Sequence, residues 1–208
     1  MNFEHVSVML MPTVDMLDVR EGGIYVDGTL GGGGHSAEIL RRLNGTGHLY
    51  GIDRDNDALA AATERLGAAG NFTAVKGNFH DVKTLLAERG VEKIDGMMID
   101  LGVSSHQLDT AERGFSYHAD APLDMRMNQR GGLTAAKVVN SYPAQTLTQL
   151  LGDWGELDTP WKVANCLVKA RAAEPVTTTA ELVGAVKPCT PRKDESKFLT
   201  KLFQALRI

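Results

Sequence analysis

Two features of the first hundred residues have the types and spacing to do chemistry together. One is the stretch "VDGTLGGGGHS", with glycine at five of the seven positions from Gly28 to Gly34; the other is Asp53, 19 residues beyond Gly34. Glycine loses more backbone entropy on folding than any other residue, so such a cluster marks close approach by something. The stretch follows the β-branched run "GIYVDGTL" and precedes the helical pattern "SAEILRRL", which argues against a flexible linker. At a strand-to-helix junction the first backbone N–H groups point outward and favour an anion or polar ligand. An acid ending the next strand can accept hydrogen bonds from both hydroxyls of an adenosine ribose. The pair reads as a nucleoside-cofactor site.

The choice of cofactor turns on the residues around the glycines. The dinucleotide pattern G-x-G-x-x-G is met by Gly31 and Gly33 but has Ser36 at its sixth position. Asp27 sits directly before the turn. An acid there would repel a pyrophosphate and suits the amino group and sulfonium of S-adenosyl-L-methionine. A nicotinamide-dependent (NAD) oxidoreductase is the enzymatic rival that Asp27 and Ser36 oppose. "GNF" places Asn78 and Phe79 beside an adenine ring, and "IDLG" ends in Asp100 at the carboxyl edge of the fourth strand, where open α/β sheets bind ligands.

The elements that must position these residues are legible. Short apolar runs alternate with helical patterns through residue 100 in β-α-β-α-β-α-β order, which predicts a parallel sheet. Asn56 or Asp57 is the expected cap of the second helix. Periodicity lapses from Gly102 to Gly132 and then turns helical, with Pro, Gly and Thr boundaries. The last stretch, "ESKFLTKLFQALRI", puts Phe198, Leu199, Leu202, Phe203 and Leu206 on one face. The expected fold is α/β. A Rossmann-like core spans 1–108, a recognition loop with an inserted helical subdomain 109–195, and a helix returning to a core left incomplete at the C-terminus 196–208. An open sheet edge accompanies that incompleteness.

Composition narrows the class. The net charge is −4, with 9 Lys/Arg against 15 Asp/Glu in residues 1–100 and 13 against 11 in 101–208. From Lys187 onward, six basic residues face Asp194 and Glu195, a mild basic tail that permits nucleic-acid contact. No apolar run is long enough to span a membrane, and Cys166 and Cys189 make no disulfide framework, so the cytoplasm is the expected compartment. The six histidines show no ligand spacing, and no metal is expected. Cys166 is expected buried, and Trp154 and Trp161 are expected to anchor helix packing.

The blocks "DGTLGGGGHS", "GIDRD", "GNF", "DLGVSSHQLDTAERGFS" and "PLDMRM", with the late "KFLTKLFQALRI", resemble the bacterial ribosomal RNA small subunit methyltransferase H family along essentially the whole chain. The family continues past the point where this sequence stops. The resemblance implies a class I methyltransferase core and transfer of a methyl group from S-adenosyl-L-methionine to the N4 amine of a cytidine in the decoding region of 16S rRNA. The expected partner is that RNA within the small ribosomal subunit, with a homodimer left open. Cofactor contacts are implied at Gly33, Gly34, His35, Asp53, Phe79, Asp100 and Gln107. Asp100, with Ser104 and Ser105 as hydroxyl alternatives, is the candidate acceptor for the amine proton. In the loop, Arg113, Arg126 and Arg130 are candidates for phosphate contact, and Phe115 or Tyr117 for stacking on an extruded base. The competing reading makes Phe115 and Met125 core residues and pairs Asp124 with Arg126 or Arg113. A catalytically silent RNA- or ribosome-binding fragment is the rival from another class.

Overall fold

Successive residues of a strand point to opposite faces, and the apolar positions of four short runs use both. These are β1 (Ile24–Asp27), β2 (His48–Asp53), β3 (Phe72–Lys76) and β4 (Gly96–Met98). The structure, a computed structural model, describes residues 9–129 and 131–208. All strand pairs are parallel, in the order β3-β2-β1-β4. One sheet face carries Tyr25, Leu49 and Met98. It is covered by Val14 of α1 (Leu10–Met16), by Ile39, Leu40 and Leu43 of α2 (Gly34–Leu43), and by Leu66 of α3 (Asn56–Leu66). The other face carries Val26, Ile52 and Val75 beneath Leu86 of α4 (Val82–Ala87). This is the parallel, doubly covered sheet of a Rossmann-like core.

Two local features differ from the sequence reading. Helix α1 has Val14 as its only buried side chain, too thin a pattern to register as periodicity. The cap of α3 is Asp55, whose carboxylate accepts the Asp57 N–H at 3.1 Å, so the helix starts one residue earlier than a cap at Asn56 would allow.

A second compact unit begins at Ser105. It contains α5 (Ser105–Asp109), α6 (Ala135–Ser141), α7 (Ala144–Asp153), α8 (Pro160–Ala173), α9 (Thr179–Val186) and α10 (Glu195–Arg207). Helices α7 and α8 pair, α9 and α6 pack on α8, and α10 packs on α7 and α6. The aperiodic loop is tied down by backbone bonds. Leu123 donates to Thr177 at 2.8 Å and Thr179 to Ala121 at 2.9 Å, beside a capping box formed by Thr178 and Glu181. The apolar face of α10 is buried at all five expected positions. By contacts the chain divides between Ser104 and Ser105. Within this unit α6, α7 and the Tyr117 ring, edge-on to Phe203, pack on α10.

Three side chains are placed differently from expectation. Trp154 and Trp161 are 53% and 55% exposed, while Leu147, Leu151, Leu157, Val163 and Leu167 are buried. Cys166 is half-buried. Burial, with the neighbouring Cys166 thiol, pushes Cys189 up to about 12.

Gly47 holds a left-handed φ of +61°, and a Cβ there would lie 2.1 Å from the Gly23 carbonyl oxygen. Gly22, at φ +78°, has open space around the same position. Gly22→Ala is expected to cost only the left-handed penalty of about 1 kcal/mol. Gly47→Ala adds a backbone clash and should cost at least about 2 kcal/mol more. Chemical denaturation of the two variants side by side checks this; equal midpoints would contradict it.

Candidate cofactor and active site

The sheet order places β1 between β2 and β4, so successive connections leave β1 in opposite directions. A crevice opens at the carboxyl ends of strands at such a switch point, and the glycine turn lies there. Gly28 N–H donates to Met98 O at 2.9 Å, and Leu30 N–H to Ile52 O at 3.0 Å, joining the turn to the ends of β4 and β2. Gly31 (φ +50°) and Gly33 (φ +75°) take left-handed conformations that side chains disfavour. A Cβ on Gly33 would also press Leu66 Cδ1 at 2.9 Å.

Asp53 reaches back into this turn. Its Oδ2 accepts the Gly31 N–H at 2.9 Å, and its Oδ1 accepts the Asp55 N–H at 2.9 Å. Burial raises its pKa, against the opposing effect of those backbone donors. Each carboxylate oxygen has a second lone pair, so the group can still accept from a ligand hydroxyl.

Asp27 is enclosed. Its Oδ2 accepts the Ser36 hydroxyl at 2.7 Å and its Oδ1 the Thr29 N–H at 3.1 Å. The acid therefore locks the end of β1 to the first turn of α2, and Ser36 is its partner. Sequence reasoning had Asp27 facing the ligand and used Ser36 only as a departure from the dinucleotide pattern. Both oxygens already meet protein donors, and the side chain is 1% exposed.

The remaining cofactor positions fall around the turn. Gly33 caps α2 without a side-chain bond and Gly34 opens the helix, leaving the first-turn N–H groups open to a ligand. His35 is buried, and its Nε2 has no hydrogen-bond partner. Phe79 stands beside Gly28: a Cβ on Gly28 would come within 3.1 Å of Phe79 Cβ and 2.8 Å of Met97 Cε. The backbone N–H of Asp100 donates to Thr29 Oγ1 at 2.6 Å, leaving an exposed carboxylate at the end of β4. Thr29, which ties Asp100 to the turn, was missed by the sequence reading, although it sits inside the quoted "DGTL". A bare cradle, an orphaned buried imidazole nitrogen and an acid ending β2 fit a nucleoside cofactor.

The remaining candidates follow β4 in the chain. Gln107 is buried in α5 of the second unit. Ser104 is half-buried just before α5; the Ser105 side chain and Arg130 lie outside the described residues. Two of the RNA candidates are enclosed, as the competing reading has it for Phe115. Arg113 is buried and donates through one guanidinium nitrogen to Arg126 O at 3.0 Å and Met127 O at 3.2 Å, with Phe115 buried beneath it at 5.7 Å. Neither can meet a phosphate or a base from that position. Arg126 is paired with Asp124 through four hydrogen bonds, at 2.6–3.1 Å. Burial alone would push the Asp124 carboxyl up, but these bonds outweigh it and hold the group below the usual range. Among the described residues no cluster of three or more metal-ligating side chains occurs, and no helix is long and apolar enough to cross a membrane.

A parallel sheet with a glycine turn, a strand-end acid and an open helix start at its switch point defines a nucleoside-cofactor-binding α/β enzyme. The model of the MraW methylase family matches residues 2–208, and the chain belongs to that family. It is 48% identical to the ribosomal RNA small subunit methyltransferase H of Clostridium botulinum (strain Kyoto / Type A2), over 100% of this chain and 68% of the relative. It is 46% identical to the protein of that name from Heliobacterium modesticaldum, over 100% and 68%. Among solved structures, it is similar to NSun6 from Pyrococcus horikoshii (TM-score 0.39, 23% identity, 47% of this chain and 24% of that one). A SAM-dependent O-methyltransferase from Thermotoga maritima is similar at TM-score 0.37 (19% identity, 48% and 38%).

Burial raises the pKa of Asp27 above its ordinary 3.8, although Ser36 and Thr29 donate to the carboxylate. A native state that keeps a proton the unfolded chain has released loses stability as pH rises. The contribution of Asp27 is therefore full below 3.8 and declines as pH climbs through the raised native value. Asp27→Asn, which retains an oxygen for Ser36, should flatten that decline in denaturation midpoints taken across a pH series. An unchanged slope would assign the decline elsewhere, Asp53 first.

Proposed function

We propose that the chain is a ribosomal RNA methyltransferase that uses S-adenosyl-L-methionine and acts on the N4 amine of a cytidine in the decoding region of 16S rRNA. The observation that carries the cofactor assignment is the Asp53–Gly31 hydrogen bond at 2.9 Å, which sets a strand-end acid directly against the glycine turn. Membership of the MraW methylase family and the names of relatives such as the Clostridium botulinum protein support the RNA substrate.

S-adenosyl-L-methionine, when bound, supplies a methyl group already activated on a positively charged sulfur. The protein's part is alignment and exclusion of water. Asp53 would hold the ribose hydroxyls. Phe79 would lie along the adenine, and the N–H groups opening α2, with His35, would face the polar end. Bare glycine at positions 28, 31 and 33 lets these contacts close. The cytosine amine is a poor nucleophile because its lone pair is delocalised into the ring. Asp100 would accept an amine hydrogen as the nitrogen becomes tetrahedral, a reading supported by the bond from its own N–H to Thr29 beside the glycine turn. Ser104 and Ser105 are the hydroxyl alternatives, and Gln107 is a further proposed cofactor contact.

The test is methyl transfer from labelled S-adenosyl-L-methionine to small ribosomal subunits lacking the modification, with nucleosides resolved by mass spectrometry. N4-methylcytidine is expected, and Asp100→Asn should lower kcat by on the order of 100-fold. A different methylated nucleoside would refute the target. No transfer from a chain that binds S-adenosylhomocysteine would favour a silent RNA-binding role.

A further inference from the structure

With Arg113 and Phe115 buried, RNA has to meet other groups on the helical unit, and one surface has the right chemistry. Arg192, Lys193 and Lys197 are exposed around the start of α10. None of the three makes an ion pair among the described residues. The acids beside them in sequence are Asp194 and Glu195, both exposed. Asp194 occupies the cap position of α10 but makes no side-chain cap bond. The first-turn N–H groups of this 13-residue helix therefore add positive potential to the same place.

An aromatic pair stands against that turn. The Tyr117 hydroxyl lies 3.4 Å from both Ser196 O and Thr200 Oγ1. Its ring meets Phe203 edge-on at 5.6 Å, which fixes it along α10. Ser196 adjoins Lys197 and lies three residues from Lys193. The exposed His118 ring rests on Tyr117 with centroids 4.4 Å apart and presents an imidazole outward. Exposed cations flanking the turn of α10 that holds the half-buried Tyr117, with the exposed His118 ring stacked on it, are a combination suited to single-stranded nucleic acid: phosphates meet the charges, and a base stacks on the exposed ring. The exposed tryptophans do not offer this. Trp154 and Trp161 sit among the exposed acids Asp153, Glu156 and Asp158, and Lys162 already lies 5.4 Å from the Trp161 ring centre.

We propose that Arg192, Lys193 and Lys197, together with the Tyr117–His118 pair, form a docking surface for single-stranded RNA on the helical unit. The surface rests on the reading that the substrate is RNA, and it names residues of the helical unit that would hold it.

The experiment titrates a fluorescent, unstructured oligoribonucleotide of about twelve nucleotides into the full chain at several salt concentrations. The variants are Arg192→Ala/Lys193→Ala/Lys197→Ala and, separately, His118→Ala. The triple variant should bind at least about tenfold more weakly, and its slope of log affinity against log salt should be smaller by about 2, at ~0.7 for each single-strand phosphate released. His118→Ala should lose about fivefold or more with its salt slope unchanged. S-adenosylhomocysteine affinity should be unaltered in both. Unchanged RNA affinity and slope in the triple variant would overturn the proposal. So would an equal loss towards polyglutamate with no effect of His118→Ala, which would mark a general anion patch. RNA binding that behaves as expected in a chain with no methyl transfer would uphold the surface while the enzymatic reading fails.

Discussion

The carboxylate of Asp53 is the constraint on which the cofactor turn depends. Through its side chain it holds Gly31 of the turn and Asp55 at the start of α3; through its backbone carbonyl it accepts Gly77 N–H at 2.9 Å beyond β3. One residue at the end of β2 thereby connects the exits of β1 and β3. Hydrogen bonds to a charged acceptor contribute about 1.5–3 kcal/mol each, while burial opposes ionisation of the same group. Burial prevails in that balance and the pKa stands raised, with the backbone donors limiting the cost. A ligand hydroxyl would add to a set of bonds that is already oriented.

The second tie, Asp27 to Ser36, shows why the glycine pattern departs from the dinucleotide form. A third glycine at the sixth position would permit close helix–strand packing. Here a hydroxyl spends that position on the acid ending β1, so α2 is anchored by a side-chain bond. The turn then carries glycine where the backbone needs left-handed φ or the space beside Phe79, Met97 and Leu66 must stay empty. His35, one residue earlier, is left with an unsatisfied buried nitrogen. Such a group is costly unless a ligand completes it.

Much of this was legible in the sequence because it follows from short-range pattern. Strand–helix alternation gave the parallel order, and the glycine cluster with Asp53, 19 residues beyond Gly34, stood out as a pair; the bond that joins them runs from Gly31. What the sequence hid was set by tertiary packing. Asp27 and Asp53 look alike as strand-end acids, yet only the enclosed one finds Ser36. Arg113 lies in a polar, aperiodic stretch that reads as a binding loop, yet carbonyls of Arg126 and Met127 draw the guanidinium inward, while Phe115 and Met125 are buried as the competing reading has them. The apolar face of α10 was plain from its spacing, but no spacing reveals that α6 and α7 would be its partners. The tryptophans erred the other way: large aromatic residues between helices suggest packing, and here leucines and valines are the buried residues.

The most direct measurement is calorimetric titration of S-adenosylhomocysteine and, separately, NAD into the purified 208-residue chain. Saturable binding of S-adenosylhomocysteine with no heat from NAD is the expected result. Binding of NAD, or no binding of either ligand by a chain shown to be folded, would contradict the assignment of the Asp53-tethered glycine turn as a methyl-donor site.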